Sequence, residues 1–397
     1  MERDELNPED AQGEPRDEAP KEPQNPLTAA LLRKSLKKLS RTYSGLSYAY
    51  IELDLKEKEL DEIGEELSNY THLRDINIST NKFPHINPVQ NMTYLVRLDA
   101  SKNEIRDLEV FTFAEKLQFL QILNLKENKI KELPNLQTNS LTELNLETNL
   151  IETCGNYTGL PSLTKLNLNQ NRLKSCEGLV NMPELKVIYL NENNIKSMKG
   201  LENLPKLRKL RLKINKIENL LNDPEAIPDL PSLEKLNISE NKIKEVKQFS
   251  ALKFPKLKKI NVDANPYFEE ANAGAKIEIL IQLEDLGVKF VNKEEILPED
   301  KDQAKVVKEE RIQKDKEEAE ERERQRIKEE EERKEKEEEE RKQKEIEEME
   351  RKQREEEERL EREREAELER QKLAEQNMEE NPEGVDGDME AMGDEDM

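Results

Sequence analysis

Tryptophan is absent from this chain of 397 residues, and only 4% of its residues are aromatic. The chain has two cysteines and two histidines, too few for a disulfide-stabilised fold or a histidine-rich metal centre. It contains no run of about 18 apolar residues, which argues against a membrane-spanning helix. Its charged beginning lacks the basic and apolar regions of a signal peptide, so we expect a protein of the cytosol or nucleus.

Positive charge is also in short supply. Lys and Arg number 66 against 90 Asp and Glu, which gives a net charge of −24. This balance argues against general binding to nucleic acid, whose phosphates need a basic surface. Only 34% of the residues are hydrophobic, a low share for one globular body of this length. The chain should therefore combine an ordered part with a solvated part.

A repeated pattern is what the sequence does contain. Four consecutive segments match L-x-x-L-x-L-x-x-N-x-L at steps of 22 residues, beginning at Leu141, Leu163, Leu185 and Leu207. This leucine-rich-repeat pattern predicts an α/β solenoid with a parallel sheet on its concave face and a cap at each end. Each turn buries its leucines against the turns above and below. Such a scaffold presents a binding surface and by itself implies no chemistry.

One asparagine in each turn is predicted to form a structural ladder. The turn after each strand leaves backbone groups without sheet partners, and a buried amide can satisfy donors and acceptors of neighbouring turns. The first turn carries Lys58 at this place, so about ten repeats are expected. The ladder positions are Asn81, Asn103, Asn128, Asn149, Asn171, Asn193, Asn215, Asn241 and Asn265.

The two cysteines occupy equivalent places in adjacent repeats. Cys154 and Cys176 lie 22 residues apart, in a column otherwise filled by Leu, Met and Val. We interpret them as stacked, reduced core residues. A redox pair is geometrically conceivable because the two repeats are neighbours, but the expected compartment disfavours it.

Composition divides the chain into six segments. Residues 110–113 and 222–225 lengthen two repeats and are either partner contacts or tolerated drift. The segment opened by Thr28, a plausible N-cap, is predicted to cap the solenoid, although a basic amphipathic helix could instead contact a membrane or a partner helix. The predicted segments are a disordered acidic N-terminus (1–25), an N-terminal cap helix (26–48), leucine-rich repeats (49–268), a C-terminal cap with a helix broken at Gly287 (269–297), a charged single α-helix (298–380) and a disordered acidic tail (381–397).

The charged segment is predicted to be a lone helix of about 120 Å. Its apolar residues are too sparse for a coiled-coil seam. Glu residues instead precede cations by four positions, and each such pair contributes about 0.2–0.5 kcal/mol to a helix. Disorder is the alternative, because the composition satisfies those criteria as well. The pairs are Glu330–Lys334, Glu337–Arg341, Glu338–Lys342 and Glu340–Lys344.

A basic strip is predicted on the concave face. Residues that flank the buried strand positions point out of the sheet. They are acidic in the first repeat (Glu52, Asp54) and polar in the middle (Asn167, Asn169). From the seventh repeat onward they form a candidate partner-binding strip, whose alternatives are a simply solvated face or a seat for the chain's own acidic tail. The strip comprises Tyr189, Lys209, Arg211, Lys213, Lys235 and Lys259.

Catalysis finds no support in the sequence. His72 and His85 are not accompanied by a nucleophile or by a carboxylate pattern of a triad or metal site. Gly159, Gly178 and Gly200 recur at repeat spacing as turn residues and form no phosphate-binding motif. We therefore expect no enzyme activity, cofactor, metal or small-molecule substrate.

Four short segments carry a narrower resemblance. They are P-L-T at 26–28, G-L-S-Y-A-Y-I-E-L at 45–53, K-E-K-E-L at 56–60 and Y-T-H-L-R at 70–74. Together with the repeats up to residue 296, they resemble the leucine-rich repeat-containing protein 23 family, components of ciliary radial spokes placed in the third spoke. The resemblance implies an axonemal structural protein, a monomer within a large complex, with other spoke proteins as partners and neither nucleic acid nor membrane among them. The long charged helix exceeds the short acidic tail of the vertebrate members, so its role is left open.

The repeat type alone allows a second function. The 22-residue variety, with G-L-V-N-M-P-E-L at 178–185, also resembles the subclass typified by the protein-phosphatase-1 regulator. A cytosolic or nuclear regulatory adaptor of that type is therefore the alternative. Such a regulator needs little beyond the solenoid, so the charged helix favours the structural role.

Overall fold

The computed structural model describes residues 23–42, 44–113, 116–154, 159–221, 227–267 and 274–379. It divides into two compact units, Met1–Lys308 and Glu309–Met397. The predicted disordered ends lie outside the described residues, apart from 23–25. The insertion predicted at 222–225 lies outside them too. Within the described residues, no helix is long and apolar enough to span a bilayer.

One thirteen-stranded sheet organises the first unit, and its strand order follows the chain. Antiparallel pairing occurs only at its two ends, and all the neighbours between β2 and β12 run parallel. The strands are β1 (Leu36–Arg41), β2 (Tyr48–Asp54), β3 (Asp75–Asn77), β4 (Arg97–Asp99), β5 (Ile122–Asn124), β6 (Glu143–Asn145), β7 (Lys165–Asn167), β8 (Val187–Tyr189), β9 (Lys209–Arg211), β10 (Lys235–Asn237), β11 (Lys259–Asn261), β12 (Phe290–Val291) and β13 (Glu294–Glu295).

The ten strands β2–β11 belong to ten repeats of a leucine-rich-repeat solenoid. Each three-residue strand buries its middle residue, as Leu166 does in β7. The convex side is built from turns and from 3₁₀ helices at Glu65–Asn69, Asn87–Asn91, Glu109–Phe111 and Val246–Ala251. Because a three-residue strand cannot bury a core by itself, the leucines of successive turns stack into one continuous core.

The nine ladder asparagines are all buried behind the sheet. Asn171 shows how each one works. Its Nδ2 donates to the carbonyl oxygens of Leu146 at 2.9 Å and Leu168 at 3.2 Å, and its Oδ1 accepts from the backbone N–H of Ile151 at 3.1 Å. One amide therefore ties its own turn to the preceding one. The residue before each of these asparagines has a φ between 52° and 57°, which turns the chain out of the strand.

The N-terminal cap differs from the predicted helix. Helix α1 covers only Ala29–Ser35, with Thr28 as its N-cap, and the chain then forms β1 antiparallel to β2. The helical prediction is therefore wrong beyond Ser35, and Leu39 of β1 is 60% exposed. The physical reason is the sheet edge. β2 would otherwise present a row of unpaired backbone groups at the edge of the sheet, and pairing with β1 satisfies them.

The C-terminal cap repeats this solution. Helix α2 covers Ala275–Gln282 and ends before Gly287, so the predicted break at that glycine is wrong. The chain continues into β12, which pairs parallel with β11, and returns through β13. Asn292 and Lys293 have φ values of 50° and 71°, as a two-residue hairpin turn requires.

The two cysteines are free and buried in the solenoid core. Burial raises the pKa of the Cys154 thiol to about 12, and it raises that of Cys176 further. Both thiols are therefore protonated at neutral pH. Because the thiolate is the reactive form, the two side chains behave as small apolar core residues.

Helix α3 covers Pro298–Glu379 and is the longest element of the chain. Its first turns belong to the solenoid unit, where Ala304 is buried and Asp300 forms an ion pair with Lys276 at 2.8 Å. Beyond Ala304, the apolar side chains that the structure describes are exposed or half-buried. This helix and the solenoid constitute the predicted fold class, an α/β leucine-rich-repeat solenoid followed by a long charged single α-helix.

Exposed ion pairs run along the second unit. Glu330–Lys334 and Glu338–Lys342 pair as the sequence predicts, at 3.0 and 2.8 Å. Glu337 pairs instead with Arg333 at 3.5 Å. No ion pair joins Glu340 and Lys344 in the described helix. A salt bridge on an exposed helix contributes little by itself, so the helix depends on many local pairs and on good helix formers.

Candidate functional site: a basic–aromatic patch on the concave face

The strand geometry presents two side chains per turn on the concave face. Each strand from β3 to β11 has a buried middle residue flanked by two residues that are exposed or half-buried. In-register pairing stacks these flanking residues into two columns that run along the solenoid. The two flanking positions in each repeat therefore determine the charge and polarity of the concave face.

Charge changes sign along these columns. At the N-terminal end they hold Glu52, Asp54, Asp75 and Asp99, with Arg97 as a counterion. Burial raises the pKa of Asp75, and Arg97 counteracts this. From β8 to β11 the flanking positions contain no carboxylate and four cations. The basic end stands out on a chain whose net charge is −24.

Three lysines form a row across neighbouring strands. Lys209 on β9 lies beside Lys235 on β10, which lies beside Lys259 on β11. The fourth place in the row belongs to Phe290 on β12. These residues, with Arg211 and Lys293, line an open depression in the sheet.

Two aromatic rings lie beneath the cationic groups. The Lys209 ammonium and the Arg211 guanidinium each lie 5.2 Å from the centre of the Tyr189 ring. The Lys259 ammonium lies 3.9 Å from the centre of the Phe290 ring. The negative face of each ring attracts the cation and limits where it can lie. The rings therefore hold cations in place without neutralising them.

The strip predicted from sequence divides into paired and unpaired cations. Lys213 donates to Glu240 at 2.8 Å, and this hydrogen bond raises the pKa of the lysine. Among the described residues, by contrast, Lys209, Arg211, Lys235 and Lys259 have no carboxylate within 4.0 Å. Lys213 is thus neutralised locally, while the other four cations are free to meet an anionic partner.

Phe290 and Lys293 are the site residues that the sequence interpretation missed. Both come from the C-terminal hairpin, which was assigned to a helical cap. The signal was present in V-K-F-V followed by Asn292, because β-branched and aromatic residues before an Asn turn indicate a hairpin. We define the basic–aromatic patch as Tyr189, Lys209, Arg211, Lys235, Lys259, Phe290 and Lys293.

Asp263 lies at the edge of the patch. Burial raises its pKa, and the nearby Lys293 counteracts this. The arrangement can therefore bind an anionic, partly apolar surface, and it offers no pair of groups for acid–base catalysis.

The histidines are used elsewhere. His72 stacks on Tyr94 at a centroid distance of 5.3 Å, and His85 Nδ1 lies 3.1 Å from Asp107 on an exposed turn. In the described part of the chain, no group of three or more His, Cys, Asp or Glu residues could hold a metal ion.

The stacked strands, the buried amide ladder and the open concave face define the chain as a leucine-rich-repeat protein, a class of protein-interaction scaffold. A family model for two copies of the leucine-rich repeat matches residues 161–198. The chain is 33% identical to human leucine-rich repeat-containing protein 23 over 126 residues, which are 32% of this chain and 35% of the human protein. The bovine protein of the same name is 31% identical over 126 residues, with the same coverage. The chain thus spans about a third of the length of these curated relatives.

Solved structures with a related shape include an internalin from Listeria monocytogenes. It is 19% identical in sequence, and the aligned region covers 63% of this chain and 79% of the internalin chain, with a TM-score of 0.48.

Proposed function

We propose that this chain is a non-enzymatic structural scaffold of the ciliary axoneme, a component of the third radial spoke, and that its basic–aromatic patch holds a neighbouring spoke protein. The observation that carries the binding role is that Lys209, Arg211 and Lys259 lie over the Tyr189 and Phe290 rings and have no carboxylate within 4.0 Å among the described residues. The axonemal placement is supported by the resemblance and the similarity to leucine-rich repeat-containing protein 23.

The patch has the properties of a protein-binding surface. Cations held on rings lose less freedom when a partner binds, so more of the interaction energy appears as affinity. Aromatic and Arg side chains are the residue types that most often dominate interface energetics, and Tyr189 and Arg211 are in contact. The continuous core keeps the sheet rigid, so the patch needs no rearrangement before binding.

The charged helix favours a structural role over a phosphatase adaptor. An 82-residue helix is about 120 Å long at 1.5 Å per residue. Beyond its first turns its apolar side chains are exposed and too sparse for a seam, as at Ile327, Ile346 and Leu360. A helix of this kind supplies length within an assembly, either as a spacer or as a docking rod.

Charge reversal tests the proposal. Lys235→Glu together with Lys259→Glu inverts the centre of the patch at two exposed side chains, so the fold should persist. We expect a tagged double variant to be lost from detergent-extracted axonemes that retain the wild-type chain. Lys165→Glu is the control for charge reversal in the same column, because Lys165 lies on β7 outside the patch, where it forms an exposed ion pair with Glu143 at 3.2 Å.

Normal retention of the folded double variant would move the interface away from the patch. Absence of the wild-type chain from axonemes would reject the axonemal role itself.

A further inference from the structure

The spacing of the lysine row specifies what kind of element can bind it. Lys209, Lys235 and Lys259 occupy one column on three adjacent parallel strands, with Phe290 next in line. Adjacent strands lie about 4.8 Å apart, so the backbone positions of the three lysines span about 10 Å and that of the phenylalanine lies about 14 Å from the first. The row runs across the strands, along the solenoid.

An α-helix matches this spacing better than an extended chain does. Helix residues i, i+4 and i+7 share one face and span about 10.5 Å, and residue i+11 on the same face lies about 16.5 Å along. Alternate residues of an extended strand repeat every ~6.7 Å, so three of them span about 13 Å. An extended peptide would fall out of step with the lysines by the third contact.

The charge of the row specifies the face of that helix. The three ammonium groups have no carboxylate within 4.0 Å among the described residues. The row ends at Phe290, a half-buried ring that holds the Lys259 ammonium against one face and leaves the rest of its exposed surface to an apolar side chain. A carboxylate opposite each lysine would gain a charge-assisted hydrogen bond. An apolar side chain opposite the ring would be removed from water.

We propose that the basic–aromatic patch binds an acidic α-helix of a partner protein, which lies along the solenoid with carboxylates at i, i+4 and i+7 against the three lysines and an apolar residue at i+11 against Phe290. This inference rests on the proposed function and specifies the binding element of the partner. It requires a helix whose acidic residues share one stripe, so acidic composition alone is insufficient.

Labelled peptides of equal net charge test the proposal against the full-length chain by fluorescence anisotropy. The stripe peptide places Glu at i, i+4 and i+7 and Leu at i+11 in a helical background of Ala and Gln. The dispersed peptide distributes the same Glu and Leu residues around the helix. A Pro version of each peptide exchanges two central background residues for Pro, which prevents the helix. A Gln version of the stripe peptide replaces Leu at i+11 with Gln.

We expect the stripe peptide to bind about tenfold more tightly than the dispersed peptide and its own Pro version, with an affinity that falls as salt increases. Lys235→Glu should abolish this preference, while the control Lys165→Glu should leave it unchanged. Phe290→Ala should remove only the advantage of Leu over Gln at i+11. Tyrosine fluorescence during unfolding verifies that each variant is folded.

Equal binding of the stripe, dispersed and Pro-containing peptides would overturn the helical proposal. So would an equally charged single-stranded oligonucleotide that binds as tightly as the stripe peptide. A concentration-dependent dimer of the full-length chain that Lys235→Glu abolishes would show that a second copy occupies the patch, which also contradicts a separate partner.

The outcomes separate this inference from the proposed function. If Lys235→Glu with Lys259→Glu abolishes axonemal retention while no peptide preference exists, the scaffold role stands and the acidic helix is rejected. If the stripe peptide binds selectively while axonemal retention is unaffected, the recognition stands and the role assigned to it in the spoke is rejected.

Discussion

Replacing Asn171 with alanine should destabilise the solenoid mainly through one backbone group. The amide of Asn171 is the hydrogen-bond acceptor for the buried N–H of Ile151, at 3.1 Å. Its other contacts are donations to three carbonyls, including those of Leu146 and Leu168, and all three carbonyls keep another donor in the variant. The structure therefore predicts one orphaned N–H, which costs about 1–3 kcal/mol.

Asparagine-to-aspartate substitution at the same position discriminates hydrogen bonding from packing, because the two side chains have the same shape. The introduced carboxylate can accept from Ile151, but it also faces three carbonyl oxygens in a buried site. We expect Asn171→Asp to cost more than Asn171→Ala at neutral pH. Burial and these oxygens raise the pKa of that carboxyl in the folded state. The stability of the Asn171→Asp variant should therefore recover as the pH falls and be lost as the pH rises through the folded pKa.

Tyrosine fluorescence is a suitable probe because all eight tyrosines lie between residues 43 and 267, and no tryptophan is present. Urea unfolding of the full-length variants therefore reports on the solenoid alone. Asn219→Ala is the control, because this side chain is exposed two repeats further along and should change the free energy of unfolding by less than about 0.5 kcal/mol. An unchanged midpoint for Asn171→Ala, or equal costs for the alanine and aspartate variants at all pH values, would refute the ladder argument.

Three further perturbations test the fold. Leu168→Ala removes a fully buried leucine between two turns and should lower the free energy of unfolding by about 2–5 kcal/mol in the same urea assay; an unchanged midpoint would contradict the stacked core. Gly200→Ala should be strongly destabilising, since φ is +98° and the added Cβ would lie 2.4 Å from the backbone carbonyl carbon of Cys176, whereas Gly274→Ala meets no atom within 4 Å and should be tolerated. A peptide spanning residues 309–379 should be helical and monomeric, with a gradual thermal transition and only partial loss of helicity in salt, by circular dichroism and sedimentation at two concentrations; a stable dimer with a sharp transition would make it a dimerisation arm.

The repeats were predictable because local pattern and tertiary packing agree there. A leucine that fits the repeat, such as Leu168, must be buried in any stack of such turns. The asparagine that follows it is buried as well, so its amide must bond to the backbone of its own turn and of the preceding one. Strand pairing then follows from the order of the chain. The concave columns could be read from sequence for the same reason.

The two ends were not predictable in the same way. The apolar spacing of Leu32 and Leu36 fits a helix, and nothing local reveals that the first parallel strand needs an edge partner. The edge requirement is a property of the assembled sheet, and it converts the residues after Ser35 into β1. The same requirement at the other end places Phe290 beside Lys259, which no spacing rule connects with the repeats.

Which lysines form ion pairs with carboxylates could not be predicted from the sequence either. Both Lys213 and Lys235 belong to the strip predicted from sequence, yet of these two, within the described residues, Lys213 alone has a carboxylate within 4.0 Å, contributed by Glu240 of the next repeat. Distinguishing them requires side-chain positions across the turn.

The central proposal, a structural component of the third radial spoke, is tested most directly by electron tomography of axonemes from cells that lack this chain. We expect density to be lost from the third spoke of every axonemal repeat, and we expect the wild-type chain to restore it while the Lys235→Glu and Lys259→Glu double variant does not. Three intact spokes in cells that lack the chain would rule out a role in the third spoke.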